Sequence, residues 1–447
     1  MTEWPATIDR RYHDAVILDV CCVVAETASS AAGVFESRNS IVALLRRLQD
    51  AGVATAVYSS GGGCAEILRA TGLDDLVTLV VEVAETSGKL DAAALAETAS
   101  RLGTRPVRCV VIDCDLAGIT AARDGGFSLI IGLERNGYAD QMLSCGADTV
   151  VADLAGISVR RGGTAMSAVA DAMQVYSQLK ELVAARRPAV FLDFDGTLSD
   201  IVEQPEAATL VDGAAEALRA LAAQCPVAVI SGGDLGNVRD RVNVDGLWYA
   251  GSHGFELLAP DGTHHQNAAA AGIIDTLAHA AGQIAQTLGD VPGIVVEHKR
   301  FAVAVHYRNA DANDVDRVVA ETHKLGRSNG LRVTTGRKVI ELRPDIACDK
   351  GTTVNWLLKY IDGNDSAAEL GAVLPLYIGG DITDEDAFDA IQIDGAGIVV
   401  RHREDGDRPS AALFSLENPA AVAEFIDRLA KDLQDEAALP DEAWELL

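Results

Sequence analysis

Apolar residues in this chain come in short runs that stop at acids, hydroxyls or glycines. Ala189-Val190-Phe191-Leu192 runs into Asp193, and Val227-Ala228-Val229-Ile230 runs into Ser231. Continuous runs of this length predict strands covered on both faces, as in a parallel sheet flanked by helices. Residues 16–19, 109–112, 129–133 and 377–378 read the same way. Helical spacing appears at Val169, Met173, Tyr176, Leu179 and Leu182, which predicts a helix over 168–185, and again over 354–358. About 120 residues separate Ser231 from Lys350, far more than one crossover requires. That interval holds strand-like runs at 293–297, 302–308, 331–334 and 339–342, with helical runs at 268–288 and 314–325. The pattern predicts an α/β chain: a doubly wound parallel sheet carrying an inserted α/β domain, preceded by a second α/β domain. The expected bounds are 1–163 for the first domain and 164–186 for a linker helix, marked by Arg160-Arg161-Gly162-Gly163-Thr164. The core then takes 187–242 and 336–447, and the insertion 243–335.

Composition narrows the setting. With 447 residues, 49% of them apolar, the chain can bury several cores and is no disordered polymer. Its apolar runs are strand-length, far short of a membrane span, and Met1-Thr2-Glu3-Trp4-Pro5 lacks a basic-then-apolar leader pattern. Eight cysteines without CxxC spacing read as reduced thiols of a cytoplasmic protein. The formal charge of −29 argues against nucleic acid and anionic membrane as partners. It also repels a phosphorylated substrate at long range, so binding must rest on local cations. Lys299, Arg300, Arg308, Arg337, Lys338, Arg343 and Lys350 cluster in or beside the insertion; a solvated basic face is the alternative.

Four segments carry chemistry. Asp193 and Asp195, two apart, share one side of an extended segment, where paired carboxylates can hold a divalent cation and one can attack phosphorus. Ser231-Gly232-Gly233 offers a hydroxyl and open backbone N–H groups to phosphate oxygens. Lys350, opening a helix after Arg343-Pro344, supplies a point charge for a transferring group. Tyr377-Ile378-Gly379-Gly380-Asp381-Ile382-Thr383-Asp384-Glu385-Asp386 ends a strand in a cluster of acids.

In order and spacing these four segments resemble the motifs of the haloacid dehalogenase (HAD) phosphohydrolases. Adding Gly251-Ser252-His253-Gly254-Phe255-Glu256, Glu297-His298-Lys299, His306-Tyr307-Arg308 and Glu341-Leu342-Arg343-Pro344, residues 188–432 resemble the trehalose-6-phosphate phosphatase family. The resemblance implies a HAD-like core with a C2-type cap and hydrolysis of trehalose 6-phosphate to trehalose and phosphate. It makes Asp193 the nucleophile and Asp195 the general acid and base, oriented by Thr197. Ser231 and Lys350 hold the phosphoryl group, and Gly232 belongs to the same loop. Glu297, Lys299 and Glu341 contact sugar hydroxyls, with Arg308, His253 and Glu256 as secondary candidates. Mg²⁺ is implied on Asp193, the Asp195 carbonyl and Asp381 or Asp384, and no other cofactor. The family shows Gly-Asp-Asp where this chain has Gly379-Gly380-Asp381, so its usual first ligand is Gly380. The alternatives are a phosphatase for another sugar phosphate, such as sucrose phosphate, and a silent sugar-phosphate-binding regulatory protein.

Residues 12–159 carry a fainter copy. Val16-Ile17-Leu18-Asp19-Val20-Cys21, Ser59-Ser60-Gly61, Lys89 and Ile112-Asp113-Cys114-Asp115 resemble the same motifs, with Cys21 where the second acid would stand. A thiol, with a pKa of about 8.5, is a poor general acid. The expectation is a degenerate, non-catalytic HAD-like domain with a structural or regulatory role.

Overall fold

The computed structural model describes residues 6–23, 34–82, 90–135, 137–160, 162–184, 186–202, 207–336, 338–362 and 373–437. Lys89, Arg161, Arg337 and the end of the acidic tail lie outside them. The chain divides into two compact units. One comprises Met1–Gly162, Gln283–Gly293 and Ala310–Val333; the other comprises Gly163–Gly282, Ile294–Asn309 and Thr334–Leu447.

The first unit is built on six strands, β1 (Ala15–Asp19), β2 (Ala54–Ser59), β3 (Leu79–Glu82), β4 (Cys109–Asp113), β5 (Leu129–Leu133) and β6 (Thr149–Val151). They lie in the order β3-β2-β1-β4-β5-β6, all parallel. Alternation sends Ala15 and Ile17 into one apolar layer and Val16 and Leu18 into the other, which is why the whole run is buried. Helix Ala312–Ser328, from the insertion, belongs to this unit. Arg327 grips Asp148 at 3.0 Å and the Phe127 carbonyl at 3.2 Å. Gly126, at φ +69°, lets the helix approach, since a Cβ there would lie 2.8 Å from the Ala320 Cα.

Along the rest of the chain come β7 (Ala170–Asp171), β8 (Arg187–Leu192), β9 (Val227–Ile230), β10 (Trp248–Gly251), β11 (Glu256–Leu258) and β12 (His264–Gln266). The insertion adds β13 (Val295–His298), β14 (Val303–His306), β15 (Leu331–Gly336) and β16 (Val339–Pro344). The core closes with β17 (Val373–Gly379), β18 (Ala396–Val400) and β19 (Phe414–Leu416). Nine strands form one sheet in the order β7-β19-β18-β17-β8-β9-β10-β11-β12, parallel as far as β10 and antiparallel beyond. Four form a second sheet, β13-β14-β16-β15. Ala189 and Phe191 face one core layer, Val190 and Leu192 the other.

Two boundaries differ from the sequence pattern. Residues 248–266, expected in the insertion, extend the core sheet, because β10 pairs with β9 and carries β11 and β12 as a meander. The predicted helix over 168–185 begins only at Tyr176. Ala170 and Asp171 pair with β19 instead, and the Asp171 carboxylate accepts the N–H groups of Met173 and Gln174, a turn that delays the helix.

Candidate active site

The nine-stranded sheet reverses its strand order between β8 and β17, and both of these strands end in acids. Open α/β sheets bind ligands at that switch point. Asp193 leaves β8 with its N–H donating to the Ile378 carbonyl at 2.9 Å, which locks the loop onto β17. Gly196, at φ +80°, makes the following turn. Thr197, expected to orient Asp195, instead donates its hydroxyl to Asp193 Oδ2 at 3.5 Å. A buried hydroxyl within that turn reaches back to the carboxylate at the strand end, and the spacing alone could not show that.

Lys350 opens helix Lys350–Asp362 and is buried. Its Nζ donates to Asp193 Oδ1 at 2.8 Å and to Asp384 Oδ1 at 2.6 Å. Burial opposes its charge, yet the two carboxylates hold its pKa above the ordinary lysine value. Asp193 is pushed up to about 8 by burial and by the Asp384 charge, with Lys350 working the other way. Asp195 faces the cleft, and its enclosing walls raise its carboxyl above the usual range. Ser231 is buried, and its Oγ accepts the Gly233 N–H at 3.0 Å.

One cleft gathers these groups with residues of the insertion. Asp193, Asp195, Ser231, Gly232, Lys350 and Asp381 line it together with Glu297, Lys299, His306, Arg308, Lys338 and Glu341. The two groups are tied together. Lys299 Nζ donates to Glu341 Oε1 at 2.7 Å and to the Gly232 carbonyl at 3.0 Å. His253 donates from Nε2 to Glu341 Oε2 at 2.8 Å; burial and Arg343 lower its pKa to about 4, so the ring is neutral. Burial works to raise Glu341, but Lys299 and His253 hold it well below the usual carboxylate range. Glu297 pairs with His306 at 3.0 Å. Gly232 must be glycine, since a Cβ would lie 2.9 Å from the His253 ring. Arg308 lines the cleft while bound to Glu404 at 2.7 and 2.8 Å, so its guanidinium is partly committed to the protein. Glu256 is turned to Arg300 and is not on the wall.

Asp384, one of the two acids expected at the metal, is not on the wall. Fully buried, it accepts from Lys350, from the Tyr377 hydroxyl at 2.7 Å and from the Asp381 N–H at 2.7 Å. Asp381 lines the cleft and accepts the Thr383 N–H through Oδ1 at 3.0 Å. A Cβ at Gly380 would lie 2.9 Å from His402 Nε2 and 2.9 Å from the Val400 carbonyl. His402 therefore fills the room a side chain at 380 would need, and bonds to the Gly196 carbonyl at 2.8 Å. Mg²⁺ asks of a protein only one or two carboxylates beside phosphate and water. Asp193 and Asp381, both lining the cleft, with the Asp195 carbonyl could supply that number of donors, a thinner set than a third carboxylate would make.

Four residues at or behind the wall escaped the sequence reading: Asn237, Arg241, Tyr377 and His402. Asn237 and Arg241 line the cleft from helix Leu235–Val242, and their i,i+4 spacing after the Ser231 loop was the available signal. Tyr377 and His402 had none, since one reads as strand filling and the other as loop.

The trehalose-phosphatase family model matches residues 191–420. A trehalose-phosphate phosphatase of Mycobacterium ulcerans is 50% identical over 427 residues, covering 96% of this chain and 98% of that one. An uncharacterized glycosyl hydrolase of Mycobacterium tuberculosis is 58% identical over 413 residues, and the match takes in 91% of this chain but only 31% of that longer protein. Among solved structures, the C-terminal domain of a Candida albicans trehalose-6-phosphate phosphatase superposes with a TM-score of 0.50 at 22% identity, over 59% of this chain and 99% of that one, a likeness of fold. With half its residues shared along nearly the full length of one relative, and the family's segments assembled at one cleft of a HAD-like α/β core, this chain belongs to the trehalose-phosphatase family.

Proposed function

We propose that the chain hydrolyses trehalose 6-phosphate to trehalose and phosphate through an aspartyl-phosphate on Asp193. One observation carries the reading: Asp193, Asp195, Ser231 and Lys350 line one cleft together with a second group, Glu297, Lys299 and Glu341. The first suits a phosphoryl group and the second a sugar rich in hydroxyls, to which charged groups make the stronger hydrogen bonds.

In this reading Asp193 attacks phosphorus, and the bond to the sugar oxygen breaks as the new one forms. Asp195, with its raised pKa, gives its proton to the departing oxygen. It then takes a proton from the water that cleaves the acyl phosphate. Lys350 and Ser231 hold the phosphoryl oxygens while negative charge moves among them. Asp193, Asp381 and the Asp195 carbonyl would hold Mg²⁺. That ion supplies positive charge that favours the ionised form of Asp193 and offsets the repulsion between nucleophile and phosphate. Among the described residues no helix is long and apolar enough to cross a membrane, and a cytoplasmic setting fits the eight cysteines, none in a disulfide.

A second reading, sugar-phosphate binding without turnover, is favoured by Gly380 alone. Phosphate release from trehalose 6-phosphate and a panel of sugar phosphates, with Mg²⁺ or chelator, separates the two. Selective, metal-dependent release that falls more than about a thousandfold in Asp193→Asn, with the fold intact by circular dichroism, supports hydrolysis. Preference for another sugar phosphate moves the substrate, and binding without release sinks the catalytic reading.

A further inference from the structure

The first unit has a switch point of its own. Its strand order reverses between β1 and β4, and these strands end at Asp19 and Asp113. Asp19 and Cys21 leave β1 as Asp193 and Asp195 leave β8, and Cys114 follows β4. One ligand atom from each of Asp19, Cys21 and Cys114 lies within 4.8 Å of the other two. It is the one grouping of three such side chains among the described residues that is this tight.

The surroundings select the charge of a ligand. Residues 19–23, 59–64, 82 and 113–118, at the carboxyl ends of β1 to β4, include three aspartates and a glutamate and neither lysine nor arginine. The groups that bear most strongly on Asp19, Cys21, Cys22 and Cys114 are one another and nearby acids. Among the described residues of these strand ends an anion finds no lysine or arginine, whereas a cation finds a carboxylate and two sulfurs. Two thiols with one carboxylate suit a soft or borderline divalent ion rather than Mg²⁺. Tetrahedral Zn²⁺ sets its sulfurs about 3.8 Å apart, so an existing spread below 4.8 Å closes by side-chain rotation. Asp19 is buried, Cys114 half-buried and Cys21 exposed, which leaves one side open to solvent. Cys22 directs its thiol at the Ile112 carbonyl at 3.6 Å and also reaches the Cys114 side chain.

We propose that Asp19, Cys21 and Cys114 form a binding site for a thiophilic divalent cation of the Zn²⁺ type, with a fourth position open to water. Each thiol gives its proton to solvent as its sulfur takes the metal, so binding releases two protons and leaves the carboxylate as third ligand. The site belongs to the first unit and is separate from the phosphatase chemistry proposed above.

The test titrates the full-length, reduced chain with Co²⁺ as a spectroscopic stand-in. One equivalent should bring up a sulfur-to-cobalt charge-transfer band in the near ultraviolet with the visible bands of a tetrahedral ion, and Zn²⁺ should remove both. Cys21→Ala, at an exposed position, and Cys114→Ser should each weaken binding beyond the 10–100-fold that even an outer partner is worth. Cys225→Ser, in the other unit, should leave the titration unchanged. Circular dichroism checks each fold, and Asp19→Asn serves if Cys114→Ser does not fold. Absence of the charge-transfer band overturns the site, as does a band that survives in both Cys21→Ala and Asp19→Asn. A Cys21–Cys114 disulfide in the isolated protein, with no metal uptake after reduction, overturns it too.

Discussion

Glu341 keeps its charge in a nearly closed place because Lys299 and His253 each reach one of its oxygens. Removing one member of such a group strands the other, which costs about 3–5 kcal/mol. Lys299→Met should therefore lower Tm markedly, and the double variant with Glu341→Gln should recover part of that loss by thermal melting. In turnover assays Lys299→Met should raise KM for the sugar phosphate more than it lowers kcat, since its hydrogen bonds go to Glu341 and the Gly232 carbonyl and not to Asp193. Equal loss in kcat with no change in KM would contradict that placement. Gly380 tests a second local argument. Gly380→Asp alone forces a side chain against His402 and the Val400 carbonyl, an overpacking cost of about 1–3 kcal/mol. Combined with His402→Ser, which removes the contact with the ring and leaves only that with the Val400 carbonyl, it should tighten Mn²⁺ binding roughly tenfold or more by calorimetry.

Helix Ala312–Ser328 shows how an element can carry a cost that its pattern hides. Its apolar positions Val315, Val318 and Val319 are buried, and so is His323, whose two ring nitrogens find no hydrogen-bond partner among the described residues. Burial and the Arg327 charge lower its pKa to about 3, so the folded ring stays neutral. The unfolded ring takes up a proton as pH falls through about 6.5. Stability due to this residue is thus fully present above that pH and is lost progressively as pH falls toward 3. Replacing an unsatisfied buried polar group by an apolar one of similar size is favourable by about 1–3 kcal/mol. His323→Leu should raise Tm at neutral pH and flatten the acid limb of the Tm-versus-pH curve. An unchanged acid limb would mean that other groups, such as buried His13, dominate it.

At the scale of the whole molecule, a charge of −29 opposes the arrival of any phosphate ester. Salt shortens the reach of that field from about 30 Å at 0.01 M to about 8 Å at 0.15 M. For a dianionic substrate, kcat/KM should therefore rise with moderate NaCl, while kcat, set inside the cleft, changes little. A monotonic fall in kcat/KM from the lowest salt upward would show that the local cations, Lys299, Lys338 and Lys350 among them, outweigh the global charge during encounter. The two units also differ in what holds their sites: salt-linked lysine and carboxylate in one, thiol and carboxylate in the other.

Local chemistry was legible in the sequence because it depends on short spacing. Apolar runs ending in Asp19, Asp193, Ser231 and Asp381 identify strands whose carboxyl ends carry polar groups. The two-residue step from Asp193 to Asp195 needs no tertiary information. The sequence alone thus determined a parallel α/β core with an insertion, and most of the residues that meet in the cleft. Pairing partners were not legible, since a buried strand reads alike whichever sheet receives it; hence 248–266 joined the core rather than the insertion. Side-chain direction was also hidden. Thr197 turns to Asp193, Asp384 is consumed by Lys350 and Tyr377, and His402 fills the space beside Gly380. Cys21 and Cys114, more than ninety residues apart, come together only because β1 and β4 are neighbours. Such contacts are decided by hydrogen bonding and packing across the sheet, between residues whose separation along the chain carries no information about their distance in space.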